Sequence, residues 1–195
     1  HQQDPENHNT AGIYFEIGGI VYHNRALAKA RDGQYVSALA DISTALKYSP
    51  NDIETHMLKV QVCYDAAQTA AEGNRFTESQ KHWTEALETA RKCWTLQQSI
   101  QVLKIGVSIK FDYMMFLYKT SNYSEAIQVA EDLYSANYDS SILEADLAKI
   151  LSLLYTDFGA AVYNGGNRGR GKQLMEKALE YDPSNQVARQ NLYNL

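Results

Sequence analysis

Two stretches, Ala45-Leu46-Lys47-Tyr48-Ser49-Pro50-Asn51 and Ala178-Leu179-Glu180-Tyr181-Asp182-Pro183-Ser184, are versions of one pattern set 133 positions apart. Each runs Ala-Leu, a charged residue, Tyr, a polar residue, Pro. Proline has no amide donor and its ring clashes with the preceding turn, so each copy marks the end of a helix. Tracing back from the prolines at the same offset, Tyr22, Ala26, Gly33, Tyr35, Ala38, Ile42 and Ala45 stand against Tyr155, Gly159, Gly166, Arg168, Gly171, Met175 and Ala178. Apolar and small residues recur there at the three- and four-residue intervals of a helix, and a glycine breaks each copy near its middle.

Weaker copies lie between. Phe76, Ser79, Trp83 and Ala86 repeat the second-helix pattern at a shift of 41 from Tyr35, and Tyr123, Ala126, Ala130 and Leu133 repeat it at a shift of 88. From Ile13 onward the spacing predicts nine helical segments. Eight pair as hairpins: residues 13–31 with 35–48, 53–72 with 76–96, 100–119 with 123–136, and 140–163 with 169–181. A last helix from Asn185 caps the row. The break between residues 97 and 100 is placed only by a shift in periodicity, since no Gly or Pro falls between Phe76 and Ile105. Residues 1–12, without a large aliphatic or aromatic side chain, are expected to form a flexible leader to a single domain over 13–195.

Composition agrees with a helical protein. The 195 residues are 45% hydrophobic and 21% charged, with 3 Pro and 11 Gly, too little turn chemistry for a many-stranded β fold. A net charge of -5 removes the long-range attraction that a general nucleic-acid binder needs. No run of about 18 uncharged apolar residues exists to cross a membrane; the richest region, Ile142 to Val162, carries Glu144, Asp146, Lys149 and Asp157. Two cysteines, Cys63 and Cys93, are too few for a disulfide framework or a four-cysteine zinc site. They read as packed thiols, compatible with a reducing, cytoplasmic compartment. A chain opening on His1 is expected to be a segment of a larger protein.

The helix-turn-helix unit with small residues at its crossing and a closing proline resembles the tetratricopeptide repeat over about residues 19–190. The resemblance implies an all-α, right-handed solenoid of four hairpins with a capping helix, and a protein-interaction scaffold as its task. The unit intervals, 41, 47 and 45 between positions 45, 86, 133 and 178, exceed the family's usual length of about 34 and point to longer helices. In that family the first helix of each hairpin lines a concave groove. Carried over one unit at a time, the groove positions are His23, Asn24, Leu27 and Arg31; Gln61, Tyr64, Asp65 and Gln68; Phe111, Asp112, Met115 and Tyr118; Thr156, Asp157, Ala160 and Asn164. One equivalent position reads Asn24, Asp65, Asp112, Asp157.

Chaperone-binding members of the family grip a C-terminal carboxylate with Lys, Arg and Asn. Asn24 matches the clamp asparagine, but the places of the following Lys and Arg hold Glu54 and Leu58. A carboxylate ligand meets the wrong charge, so such a chaperone tail is not the expected partner. Aspartates beside aromatic and apolar residues suit instead a protein or peptide that bears Lys or Arg with apolar anchors. A regulatory domain that holds an effector through its convex face or stack end is the alternative.

Gly166-Asn167-Arg168-Gly169-Arg170-Gly171-Lys172 satisfies a phosphate-loop pattern by letter but follows a helix and continues with Gln173 rather than Ser or Thr. It reads as a glycine-rich hairpin turn in the loop 165–172. Its three cations, Arg168, Arg170 and Lys172, leave open a local contact with phosphate or nucleic acid. The five histidines are scattered without an i, i+4 pair, and no nucleophile, base and stabiliser converge. No catalytic residue, metal site or cofactor is expected.

Overall fold

A computed structural model of the chain describes residues 5–194. Among them are nine helices and no strand: α1 (Pro5–Arg31), α2 (Tyr35–Tyr48), α3 (Ile53–Glu72), α4 (Phe76–Leu96), α5 (Ile100–Lys119), α6 (Tyr123–Ser135), α7 (Leu147–Asn164), α8 (Arg168–Tyr181) and α9 (Gln186–Tyr193). The protein is all-α. Its contacts cluster into two compact units, residues 1–106 and 107–195, with the dividing line inside α5. In the first unit α1 packs on α2, α2 on α3 and α3 on α4; in the second, α6 packs on α7, α7 on α8 and α8 on α9.

The four hairpin turns share one backbone device. Gly33, Asn74, Ser121 and Gly166 occupy equivalent positions, and all four have positive φ, at 70°, 56°, 61° and 98°. The next amide in each turn reaches back five residues, from Gln34 to Lys29 O (2.9 Å), Arg75 to Ala70 O (2.8 Å), Asn122 to Leu117 O (2.8 Å) and Asn167 to Val162 O (3.1 Å). This is the Schellman closure, which satisfies the orphan carbonyls of an ending helix and needs one left-handed residue. Glycine supplies that conformation freely in two turns, whereas Asn74 and Ser121 adopt it in the others.

The hairpin crossings also recur. Ala26 meets its register partner Ala38 in the first hairpin and both are fully buried. In the second, Ser79 Oγ donates to Ala67 O at 2.8 Å. In the third, the places fall on buried Met114 and Ala126. The fourth is the tightest, because a Cβ on Gly171 would lie 2.7 Å from Gly159 O, and one on Gly159 would lie 2.9 Å from Gly171 O. Three of the four crossings pair small residues, which let two helix backbones approach closely as in tetratricopeptide hairpins, while Met114 fills the third. The landmark residues Ala45, Ala86, Leu133 and Ala178 are all buried.

Two boundaries differ from expectation and a third agrees. Residues 1–4 of the expected leader lie outside the described residues, while 5–12 are wound into α1, with Pro5 at the first helical position where its missing N–H has no partner to lose. The helix expected over 140–163 begins only at Leu147. Asp146 caps it, accepting from Lys149 N at 3.2 Å, while Asp139 holds Ser141 N at 2.8 Å in a turn that keeps the preceding segment irregular. The third-to-fourth interval is therefore lengthened by an irregular connection, and the second-to-third by the run of α4 out to Leu96. The break near residue 97 is real: Gln97 N bonds Cys93 O at 2.8 Å, and α5 starts at Ile100.

Candidate functional site

In the first unit, α1 between Gly19 and Leu27, the start of α3 and the start of α5 border two adjoining open cavities. The larger, about 460 Å³, has an aliphatic wall, Leu27 of α1, Ile53, Met57 and Leu58 of α3 and Val102 of α5, beside the polar Gln97, Ser99 and Gln101. The smaller, about 380 Å³, is lined by Ile20 and Asn24 of α1, by Ser49, and by Asp52. His23 and Glu54 line both. Cavities of this size match the lower part of the range in which ligand sites fall, about 300–1,000 Å³.

A hydrogen-bonded chain fixes the ring that the two cavities share. Asp52 is the N-cap of α3 and accepts from Thr55 N at 3.2 Å. The same carboxylate takes the hydroxyl proton of buried Thr55, whose Oγ1 lies 2.9 Å from His23 Nδ1. Since that hydroxyl has only one proton to give, His23 Nδ1 is the donor toward Thr55. In the neutral ring Nε2 is then an acceptor.

The second unit treats the equivalent place differently. There Asn185, the N-cap of α9, donates from its amide to Ser152 Oγ (2.8 Å) and Thr156 Oγ1 (3.1 Å), and both hydroxyl residues are buried. Thr156 is the register equivalent of His23, and here it is sealed rather than left lining a cavity.

Of the groove positions inferred from sequence, His23, Asn24 and Leu27 come together, His23 lining both cavities and the other two one each. Arg31 is exposed at the end of α1 and lines neither. Tyr64 packs edge-on against buried Trp83 with centroids 5.3 Å apart, and its hydroxyl accepts from Gln68 at 2.6 Å. Asp65 accepts from Gln61 at 2.8 Å. In the second unit, Tyr118 OH donates to Asp157 Oδ2 at 2.6 Å, and this bond, with burial, pushes the phenol up to about 12. Tyr118 also meets Tyr123 edge-on, which stacks on Phe158. Phe111, Asp112 and Met115 are half-buried on α5, and Asn164 is exposed at the end of α7. Glu54, Met57 and Val102 were not in the inferred set; Glu54 and Leu58 had marked themselves only as departures from the clamp.

Two cations of the basic loop, Arg168 and Lys172, have local side-chain neighbours. Asn167 caps α8, accepting from Arg170 N at 3.2 Å. The Arg168 guanidinium lies 5.7 Å from the Tyr163 ring centroid, and Lys172 approaches Glu176 at 3.9 Å. Gly171, which completes the phosphate-loop lettering, stands at the closest point of the α7–α8 crossing. Cys63 and Cys93 are free and buried, and burial pushes the Cys63 thiol up to about 12. Among the described residues no group of three or more His, Cys, Asp or Glu is placed to hold a metal ion, and no helix is long and apolar enough to cross a membrane.

The hairpins define a tetratricopeptide-like helical repeat protein. Among solved structures the chain is similar to the MamA protein, at 18% identity with 90% of this chain and 79% of that one covered (TM-score 0.38). It is similar to PilF of Pseudomonas aeruginosa at 18% identity, covering 92% and 68% (TM-score 0.35). A third likeness is YrrB, described as a TPR protein with an unusual peptide-binding site, at 14% identity over 89% and 91% (TM-score 0.28). No protein-family model and no curated protein matches the chain. The tetratricopeptide-like character rests on the shared turns and crossings, not on these likenesses.

Proposed function

We propose that the chain is a protein–protein interaction scaffold, acting within a larger protein, that takes a peptide or partner domain on the faces of its first helices. The observation that carries this reading is the pair of adjoining cavities at α1 and α3, which includes three positions, His23, Asn24 and Leu27, that the register assigns to a binding face. An aliphatic wall beside polar side chains is the arrangement in which a buried anchor supplies most of the affinity and nearby polar groups set the choice of partner. Partners with both apolar and basic side chains fit such a face.

The reading is tested by selecting binders for the whole chain from a displayed random-peptide library. Putting Leu27→Asp and Met57→Asp into one variant is expected to abolish capture of the selected peptides while the helical circular dichroism stays unchanged. Both side chains are half-buried at the cavity wall, so the substitutions place carboxylates where an anchor would sit. Undiminished capture by the folded variant would refute binding at this face.

A further inference from the structure

We infer that the two cavities of the first unit act together as a site for two side chains of one partner helix, a large aliphatic residue and a lysine or arginine one turn away. This deepens the scaffold reading and rests on it. The larger cavity offers a hydrocarbon wall in Leu27, Met57, Leu58 and Val102, which suits a Leu- or Met-sized guest.

The smaller cavity carries both carboxylates of the site, Asp52 and Glu54. Glu54 is exposed and forms no ion pair or hydrogen bond among the described residues. Asn24 is equally uncommitted. Asp52 adds a second carboxylate, already engaged by Thr55 through one oxygen, and Ser49 adds a hydroxyl. His23, with its proton held on Nδ1 by the Thr55 link, adds an acceptor nitrogen to the shared wall. Three neighbouring cations are held elsewhere, Arg25 and Lys29 by Asp41 and Lys59 by Glu85. A guest with N–H donors and positive charge completes the site, whereas a guest carboxylate would face Glu54 and Asp52 at close range.

The spacing fits one partner element. Along α3, Glu54 precedes Met57 and Leu58 by three and four residues, and along α1, Asn24 precedes Leu27 by three. Each is about one turn, or roughly 5 Å. Side chains at i and i+4 of a partner helix have the same separation. The sequence resemblance marks positions 54 and 58 as places for Lys and Arg; with Glu54 and Leu58 there, the preference is inverted in charge.

A direct test uses acetylated, helix-forming peptides of alanine and glutamine, each with one Leu and, four residues away, Lys, Gln or Glu. They are titrated with the whole chain by fluorescence anisotropy. The Leu/Lys peptide is expected to bind about tenfold tighter than Leu/Gln, the factor that about 1.4 kcal/mol produces, and Leu/Glu more weakly still. Glu54→Gln should level the Lys and Gln peptides, and Glu54→Lys should make Leu/Glu the preferred ligand, a reversal that simple loss of structure cannot give. Peptides that bind through Leu but without regard to charge, or an order that Glu54→Lys leaves unchanged, would overturn the inference and leave the scaffold reading standing. If no peptide binds in a Leu-dependent way, and Leu27→Asp with Met57→Asp changes nothing in library selection, both fall.

Discussion

Asp41 is the most heavily committed ionisable side chain of the first hairpin. Only 4% exposed, it receives the Arg25 guanidinium through two bonds of 2.7 and 2.5 Å and the Lys29 ammonium at 2.6 Å. Arg25 also lies 4.6 Å from the centroid of the Tyr22 ring. The Arg25 hydrogen bond is the main reason that the Asp41 carboxyl is held down, from 3.8 to about 2, against the opposing effect of burial. A carboxyl with a lowered folded-state pKa stabilises the fold fully above its unfolded value and loses that contribution as pH falls through the folded one. Asp41→Asn is therefore expected to cost about 1–2 kcal/mol at pH 7, discounted because Arg25 is half exposed. In urea titrations the gap between wild type and variant should narrow below about pH 4 and close near pH 2. None of this is legible in periodicity. An acid between Ala38, Ile42 and Ala45 shows only as a flaw in an apolar stripe, and its partners appear only once α1 and α2 face each other.

At the scale of the element, the glycines of α8 separate two roles that sequence alone cannot tell apart. Gly169 has open space around its Cα, whereas a Cβ at Gly171 would fall 2.6 Å from Tyr163 Cβ and 2.7 Å from Gly159 O. Gly169→Ala is expected to stabilise by about 0.4–1 kcal/mol through reduced backbone freedom. Gly171→Ala is expected to destabilise by about 1–3 kcal/mol, because the neighbouring atoms are backbone and cannot step aside. Thermal melts of the two variants, moving in opposite directions, would check this. The hairpins themselves were readable because Gly33, Pro50, Gly166 and Pro183 impose backbone geometry directly, and geometry of that kind survives in a letter string. The start of α7 was not, because Ile142 and Leu143 continue an apolar rhythm while the actual cap, Asp146, competes with a turn at Asp139 that only hydrogen bonding distinguishes.

For the molecule as a whole, the acidic balance takes on a different meaning. Asp41 is neutralised by Arg25 and Lys29, Asp157 accepts from Tyr118, and Glu131 accepts from Tyr155 at 2.7 Å and Tyr181 at 3.0 Å. Burial and the Glu131 bond push the Tyr181 phenol up to about 12. These three carboxylates thus serve internal joints between helices, and Glu54 by contrast is uncommitted among the described residues. Composition supplied the surplus, and the register located Asn24 and Leu27; which acids remained free depended on side chains meeting across helices, information that no spacing holds. Asp41 and Gly171 lie in different units and share no contact partner. Their effects in an Asp41→Asn, Gly171→Ala double variant are accordingly expected to add within about 0.5 kcal/mol in urea unfolding, and a larger departure would reveal energetic coupling between the units.

The Asp52–Thr55–His23 chain carries a consequence in the language of covalent chemistry. His56 bonds Pro50 O through Nε2, so its basic nitrogen is Nδ1, shut inside the protein without a partner. His23 is the opposite tautomer, with its basic nitrogen on the ring edge away from Thr55. One histidine keeps its nucleophilic atom enclosed; the other carries it on a residue that walls two open cavities. A partner peptide fitted with a mild electrophile beside its aliphatic anchor would find in His23 a built-in point of attachment, and the cleft would become a trap that records what has been bound there.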